Sequence, residues 1–171
     1  KLVYTEGEYY HHSVEQIDSY KGWRIGLPPQ WYPTHATAYY IAVTDGYFTE
    51  VSCNAIPSLV AKDQPENNRY KNPFGSEVAF LKTNEGGSAR IAILWDGPVP
   101  GREAGRVYGQ LGSMEGMNYI GQMSSLPDID RVALPPQVSP GGHGGSHGYL
   151  MNEFVHAILE DRKPLVDVAS A

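Results

Sequence analysis

The sequence predicts an α+β domain: one large, mainly antiparallel open-faced sheet with helices packed on one side. Three observations carry this. Short strand-like runs are separated by Gly- and Pro-rich turns, helical spacing occurs in only two places, and no repeat of 20 to 50 residues is visible, which argues against solenoids and propellers. The 171 residues are 41% hydrophobic and 19% charged, enough for a globular core in a single domain spanning residues 1–171.

Leu2 to Tyr10 mixes Val, Tyr and Thr with Glu, the composition of a strand. Ser13 to Tyr20 is polar and carries no clear period. After the breaker-rich Gly26-Leu27-Pro28-Pro29, Thr34 can cap a helix that runs to Val43 and stops near Asp45-Gly46, placing His35 in its first turn. Phe48 to Ile56 alternates, so a half-buried strand is expected with Thr49, Val51, Cys53 and Ala55 on one face, Cys53 pointing inward. Pro57 to Gly75 is polar and rich in Pro and Asn, which predicts a long exposed loop.

Glu77 to Thr83 and Ala89 to Trp95 read as strands joined by the hairpin turn Asn84-Glu-Gly-Gly-Ser88. Asp96 to Gly101 is a further turn, and Arg106 to Leu111 a strand, so residues 77 to 111 are expected to form three neighbouring antiparallel strands. Gly112 to Gly116 turns the chain into Asn118 to Met123, and the proline-rich stretch from Leu126 to Pro140 is irregular. Ser146 can cap a last helix in which Leu150, Met151, Phe154, Val155, Ile158 and Leu159 recur at helical spacing, ending near Asp161 before Pro164.

A net charge of −6 without basic clusters argues against a general grip on nucleic acid or anionic lipid. The single cysteine permits no internal disulfide, and no apolar run approaches the roughly 20 residues of a membrane span, which fits a cytoplasmic setting. Lys1 in place of Met, with a strand starting at once, suggests a piece of a longer protein.

Neither GxGxxG after a strand nor GxxxxGK[ST] occurs, so a nucleotide would need another domain. No serine elbow is present, and an inward Cys53 would be inert, which argues against nucleophilic catalysis. His143-Gly-Gly-Ser-His147 has i, i+4 spacing for a metal pair, but its glycines oppose a helix there, and the alternative is a Gly-rich turn whose following helix offers free amides to anions or ligand hydroxyls. Trp31-Tyr32-Pro-Thr-His35 joins aromatics to a histidine at a loop-to-helix junction, which suits sugars and polyols but also fits simple packing of the helix end. His156 reads as an ordinary helix residue. Glu6 and Glu8 share one strand face, open to acid–base work or to plain solvation.

Taken in order, these segments resemble the C-terminal domain of the glucose-fructose oxidoreductase, inositol dehydrogenase and MocA family. The resemblance rests on Val3-Tyr-Thr-Glu-Gly-Glu-Tyr-Tyr-His11, on Trp31 to Glu50, on Val107-Tyr-Gly-Gln-Leu-Gly-Ser-Met-Glu-Gly116 and on His143 to Tyr149 leading into Glu153 to Pro164. It implies a sugar- or polyol-binding and homo-oligomerising domain of an NAD- or NADP-dependent dehydrogenase, the cofactor being bound mainly by an N-terminal Rossmann domain outside this chain. It also implies that His35 accepts or relays the proton of the hydroxyl being oxidised, a task suited to an imidazole of ordinary pKa near 6.5. Many members carry an aspartate four residues earlier, where Trp31 stands here.

Glu6-Gly7, Tyr9, His11, Tyr32-Pro-Thr-His35 and Gly142-His-Gly-Gly145 also resemble the NAD-dependent glycosidases of glycoside hydrolase family 109, although Ser146-His147 replaces that family's Met-Asp. That resemblance implies transient oxidation at C3 followed by elimination, with Tyr9 and His35 as catalytic acid–base residues. The candidate site is then Tyr9 and His35, with His11, Trp31, Tyr32, His143 and His147 binding substrate. A third expectation is a non-catalytic binding or assembly domain that keeps only the sheet.

Overall fold

A computed structural model describes residues 1–11, 21–44, 46–97, 102–122, 133–165 and 167. The chain divides into two compact units, Lys1–Leu126 and Pro127–Ala171. The first holds a seven-stranded sheet formed by β1 (Leu2–Tyr10), β2 (Phe48–Pro57), β3 (Phe74–Thr83), β4 (Ser88–Leu94), β5 (Arg102–Gly109), β6 (Gly112–Glu115) and β7 (Asn118–Gly121), with one helix, α1 (Thr34–Ile41). The strand order is β2-β3-β4-β1-β5-β6-β7. Every neighbouring pair is antiparallel except β1 with β4, so the sheet is mixed but mainly antiparallel. This is the open α+β sheet expected, with one change of connectivity. The strands of residues 77 to 111 are not three in a row, because β1 inserts between β4 and β5.

The insertion follows from what β1 offers. Alternate residues of a strand face opposite sides, and Thr5, Gly7 and Tyr9 turn toward α1. Thr5 is buried, and its hydroxyl donates to the Arg106 carbonyl at 3.1 Å. A Cβ on Gly7 would lie 2.0 Å from the Ala36 carbonyl oxygen, so only glycine lets the helix settle this deeply. The core between helix and sheet is Tyr9, Ala36, Ala79, Ile91, Ile93 and Trp95.

Helix α1 starts one residue earlier than expected. Pro33 is its N-cap, its carbonyl accepting from the Ala36 and Thr37 amides, while Thr34 is the first helical residue and makes no capping bond. The helix ends at Ile41, where the buried Tyr40 hydroxyl donates to Asn84 at 3.1 Å and Glu85 at 3.2 Å. Phe48–Pro57 is an edge strand with a neighbour on one side only, and its residues are mostly exposed on both faces. Cys53 is therefore exposed and not turned into a core, a correction whose cause is the strand's edge position.

The stretch after β2 differs from a plain exposed loop. Ser58, Asp63, Asn68 and Asn72 are buried. The Asn68 amide donates to the carbonyls of Asp63, Gln64 and Asn72 and accepts from the amides of Tyr70 and Asn72. Asn72 donates to the Gly26 carbonyl at 3.2 Å, and the Tyr70 hydroxyl to the Trp23 carbonyl at 2.6 Å. Buried polar groups are kept by such full pairing, and here they tie residues 58–72 to the segment 23–26.

The face opposite α1 carries a row of charges in register. Arg90 on β4 pairs with Glu6 on β1 at 3.0 Å, Glu6 with Arg106 on β5 at 2.6 Å, and Arg106 with Glu115 on β6 at 3.3 Å. Arg90 and Arg102 hold Glu8 in the same way. The Arg90 hydrogen bond brings the Glu6 carboxyl down to about 2, against the opposing effect of burial. Glu6 and Glu8 thus serve cross-strand ion pairs and face away from His35. Beyond β5, residues 112–116 form β6 and the β6–β7 turn, so a strand stands where only a turn was expected.

In the second unit, described by itself, α2 spans Ser146–Leu159 with Gly145 as its N-cap; Ser146 is the first helical residue and makes no capping bond. Residues 133–140 are irregular, as expected. Leu150, Met151, Phe154, Val155, Ile158 and Leu159 are all exposed along the helix. The polar stretch 13–20, His12, part of the turn 96–101, Met123 and residues 126–132 of the proline-rich stretch lie outside the described residues.

Candidate active site

Four of the expected residues meet in the first unit. Tyr9, near the end of β1, points toward α1 and is almost fully buried at 5% exposure. The His35 ring lies stacked on Tyr9 with centroids 4.4 Å apart and planes 24° apart, and on Tyr32 at 5.2 Å and 25°. Tyr9 and Tyr32 are themselves 5.6 Å apart, so the imidazole and the two phenols form one triangle. His11 follows at the strand's end, 6.1 Å from Tyr9, its amide donating to the Leu94 carbonyl at 2.9 Å.

Residues without a sequence motif complete the cluster. Trp95, just past β4, meets Tyr9 edge-on at 5.5 Å and 87°. Arg24 donates from Nη2 to the Tyr32 hydroxyl at 2.8 Å, with its guanidinium 4.8 Å from the Tyr32 ring centre and 5.3 Å from that of Trp23. Such a cation over aromatic faces gains from the ring quadrupole. Glu103 on β5 is the register partner of Tyr9, and its Oε1 stands 3.6 Å from His35 Nε2. No local signal marks Arg24, within Gly22-Trp-Arg-Ile-Gly26, or Glu103, which arrives through sheet pairing.

Burial raises the Tyr9 phenol above its ordinary value; Arg24 acts against this, while Tyr32 and Glu103 add to it. Tyr9 is therefore held as the neutral phenol, able to donate a hydrogen bond. His35 Nδ1 is buried and has no hydrogen-bond partner among the described residues, whereas the side chain as a whole keeps 29% exposure. The exposed part of the ring does not include Nδ1. A cleft of about 520 Å³ beside β5 is lined by Glu6, Glu8, Tyr39, Arg102, Glu103 and Arg106, among others, but not by Tyr9, Tyr32 or His35. That volume is within the range of small-ligand sites.

Trp31 does not join the cluster. It is 69% exposed and meets Tyr70 edge-on at 6.0 Å, packing at the surface. His143 and His147 belong to the second unit, where their rings lie 4.6 Å apart in the turn that enters α2. That turn uses left-handed backbone at His143, Gly144 and Gly145, which is why glycine recurs there. Among the described residues no group of three or more His, Cys, Asp or Glu side chains is placed to hold a metal. Nor does any described strand lead through a Gly-rich turn into a helix: α1 is entered from Pro28–Pro33, and α2 from irregular chain. The described residues therefore do not fit a dinucleotide cradle.

No protein-family model and no curated protein matches this chain. Solved structures do. UDP-N-acetylglucosamine 3-dehydrogenase from Acidithiobacillus ferrooxidans superposes with a TM-score of 0.59 at 12% identity, covering 99% of this chain and 48% of that one. The myo-inositol dehydrogenase of Lactobacillus casei, solved with NAD(H) and myo-inositol, gives 0.54 at 12%, covering 96% and 45%. The scyllo-inositol dehydrogenase of the same organism, with NAD(H) and scyllo-inositol, gives 0.57 at 11%, covering 99% and 50%. The chain spans about half the length of these dehydrogenases and has their fold over that half. This agrees with the resemblance to the C-terminal domain of the glucose-fructose oxidoreductase, inositol dehydrogenase and MocA family.

Proposed function

We propose that this chain is the substrate-binding and oligomerising domain of an NAD- or NADP-dependent dehydrogenase acting on a sugar or polyol hydroxyl. The observation that carries the reading is the His35 imidazole stacked on Tyr9 and Tyr32 with Nδ1 buried and 29% of the side chain still exposed. Aromatic faces suit the apolar CH faces of a sugar, and the few directed polar groups suit its hydroxyls. In this reading His35 Nε2 takes the hydroxyl proton, and the Tyr9 phenol donates a hydrogen bond to the same or the neighbouring oxygen. When bound, a nicotinamide supplies the hydride acceptor; its cradle is placed in a part of the protein beyond this chain, acting in the cytoplasm.

The neighbours named above, crystallised with NAD(H) and inositols, support this class of ligand. The test is turnover by the protein that carries this chain, with NAD+ and NADP+ against a panel of sugars and polyols, followed at the absorbance of reduced nicotinamide. Turnover that disappears in His35→Ala is expected. No cofactor binding and no turnover across the panel would count against it and leave an assembly domain as the better account.

The direct contact of Tyr9 with His35 favours a second reading. A phenol and an imidazole side by side suit the acid and base of a glycosidase that oxidises its substrate transiently at C3. That enzyme would release an aglycone without net formation of reduced cofactor.

A further inference from the structure

The pairing of β1 with β5 brings a carboxylate to His35 that no local motif announces. Tyr9 and Glu103 are direct partners in that register, both on the face under α1, and His35 sits over the pair with its ring on Tyr9 and Nε2 3.6 Å from Glu103 Oε1. Trp31, one turn before His35, is turned to Tyr70 and offers no charge. The other ring nitrogen of His35 is buried and unpaired among the described residues. A proton delivered to this imidazole therefore lands on the nitrogen beside Glu103.

We propose that Glu103 is a positioning residue for His35: its carboxylate stabilises the imidazolium formed when Nε2 takes the proton of the substrate hydroxyl, and holds the ring through the Nε2–H so formed. This rests on the dehydrogenase reading above. In the step, the O–H bond breaks, the oxygen keeps the electron pair, and an Nε2–H bond forms. The new positive charge appears within a few ångströms of a carboxylate, where opposite charges stabilise each other. The other polar groups facing the ring are the phenols of Tyr9 and Tyr32, the latter held by Arg24. Among the described residues, Glu103 is the one carboxylate paired with the ring. Glu103 also lines the cleft of about 520 Å³ beside β5, which His35 itself does not line.

The experiment uses the protein that carries this chain, with ¹⁵N-labelled histidine, as wild type, His35→Ala, Glu103→Gln and Glu103→Asp. His35→Ala identifies the ring-nitrogen signals of His35. Those signals should move in Glu103→Gln and return toward the wild-type position in Glu103→Asp; identical signals in wild type and Glu103→Gln overturn the proposal. With an active substrate, Glu103→Gln should lower kcat on the order of 10- to 100-fold with KM nearly unchanged, as loss of support for a general base does. An unchanged kcat beside an inactive His35→Ala overturns the proposal and leaves the dehydrogenase reading standing. A wild type without turnover overturns that reading, and with it the catalytic role, while the nitrogen spectrum still decides whether the pair exists.

Discussion

Gly7 on β1 and Gly105 on β5 stand opposite each other in register, and together they form the saddle on which α1 rests. A Cβ at Gly7 would be 2.0 Å from the Ala36 oxygen, and one at Gly105 would be 2.4 Å from the Tyr39 ring. The first obstacle is backbone and cannot step aside; the second is a side chain that can. Since His35 is carried by the same helix, the depth of this seat sets its distance from Tyr9 and Glu103.

Gly7→Ala should therefore destabilise the protein by about 1–3 kcal/mol, the usual cost of overpacking, and Gly105→Ala by less. Chemical denaturation at constant protein concentration measures both. Equal losses would mean that the helix backs away freely and that the saddle does not position it.

The fold was legible where pattern and chemistry are local. β1, α1, the β3–β4 hairpin and α2 follow from alternation, helical spacing and glycine placement. The insertion of β1 between β4 and β5 was not legible, because parallel pairing over such a separation leaves no local mark. The same cause explains the site. Tyr9, Tyr32 and His35 were readable from motifs, whereas Glu103 and Arg24 reach the cluster through sheet register and through a loop pinned by Asn68 and Asn72. Cys53 misled because alternation signals a strand but not whether a layer covers it.

The charge row on the opposite face gives a pH dependence with a definite sign. Glu6 has a folded-state value near 2 against an ordinary 4.5, so its ion pairs stabilise the fold above pH 4.5 and lose that contribution as pH falls toward 2. Glu6→Gln should cost on the order of 1–3 kcal/mol at neutral pH and flatten the acid limb of the stability profile. A variant with the same acid limb as wild type would show that other carboxylates govern it.

On that same face Ile56, Phe80 and Ile120 are exposed on β2, β3 and β7, with the ion pairs between them. Exposed apolar side chains on an open sheet favour association with a second copy. A dimer or larger assembly is expected in sedimentation, and Phe80→Glu together with Ile120→Glu should shift it to monomer. A clean wild-type monomer at high concentration would exclude association through this face.

The position of Cys53 on the edge strand predicts that its thiol is modified in the native state. A thiol reagent should label Cys53 without denaturant, as located by peptide mass spectrometry. Labelling only after unfolding would place the thiol inside a cover that β2 does not have here.

Asn68 links the stability of the long loop to the candidate site. Its amide group satisfies the carbonyls of Asp63, Gln64 and Asn72 and the amides of Tyr70 and Asn72, and its side chain packs against Gly26. Asn68→Ala leaves several buried backbone groups unpaired, each costing about 1–3 kcal/mol when not rescued by water. The loss should not stay local, because residues 23–26 are tied to this loop through Tyr70 and Asn72, and Arg24 in that segment holds the Tyr32 hydroxyl. Asn68→Ala is thus expected to lower stability by several kcal/mol and, under conditions where it remains folded, to weaken ligand binding more than Cys53→Ser does. Denaturation and a ligand titration on the two variants separate the cases. Stability lost with unchanged affinity would mean that Arg24 keeps its place without the loop.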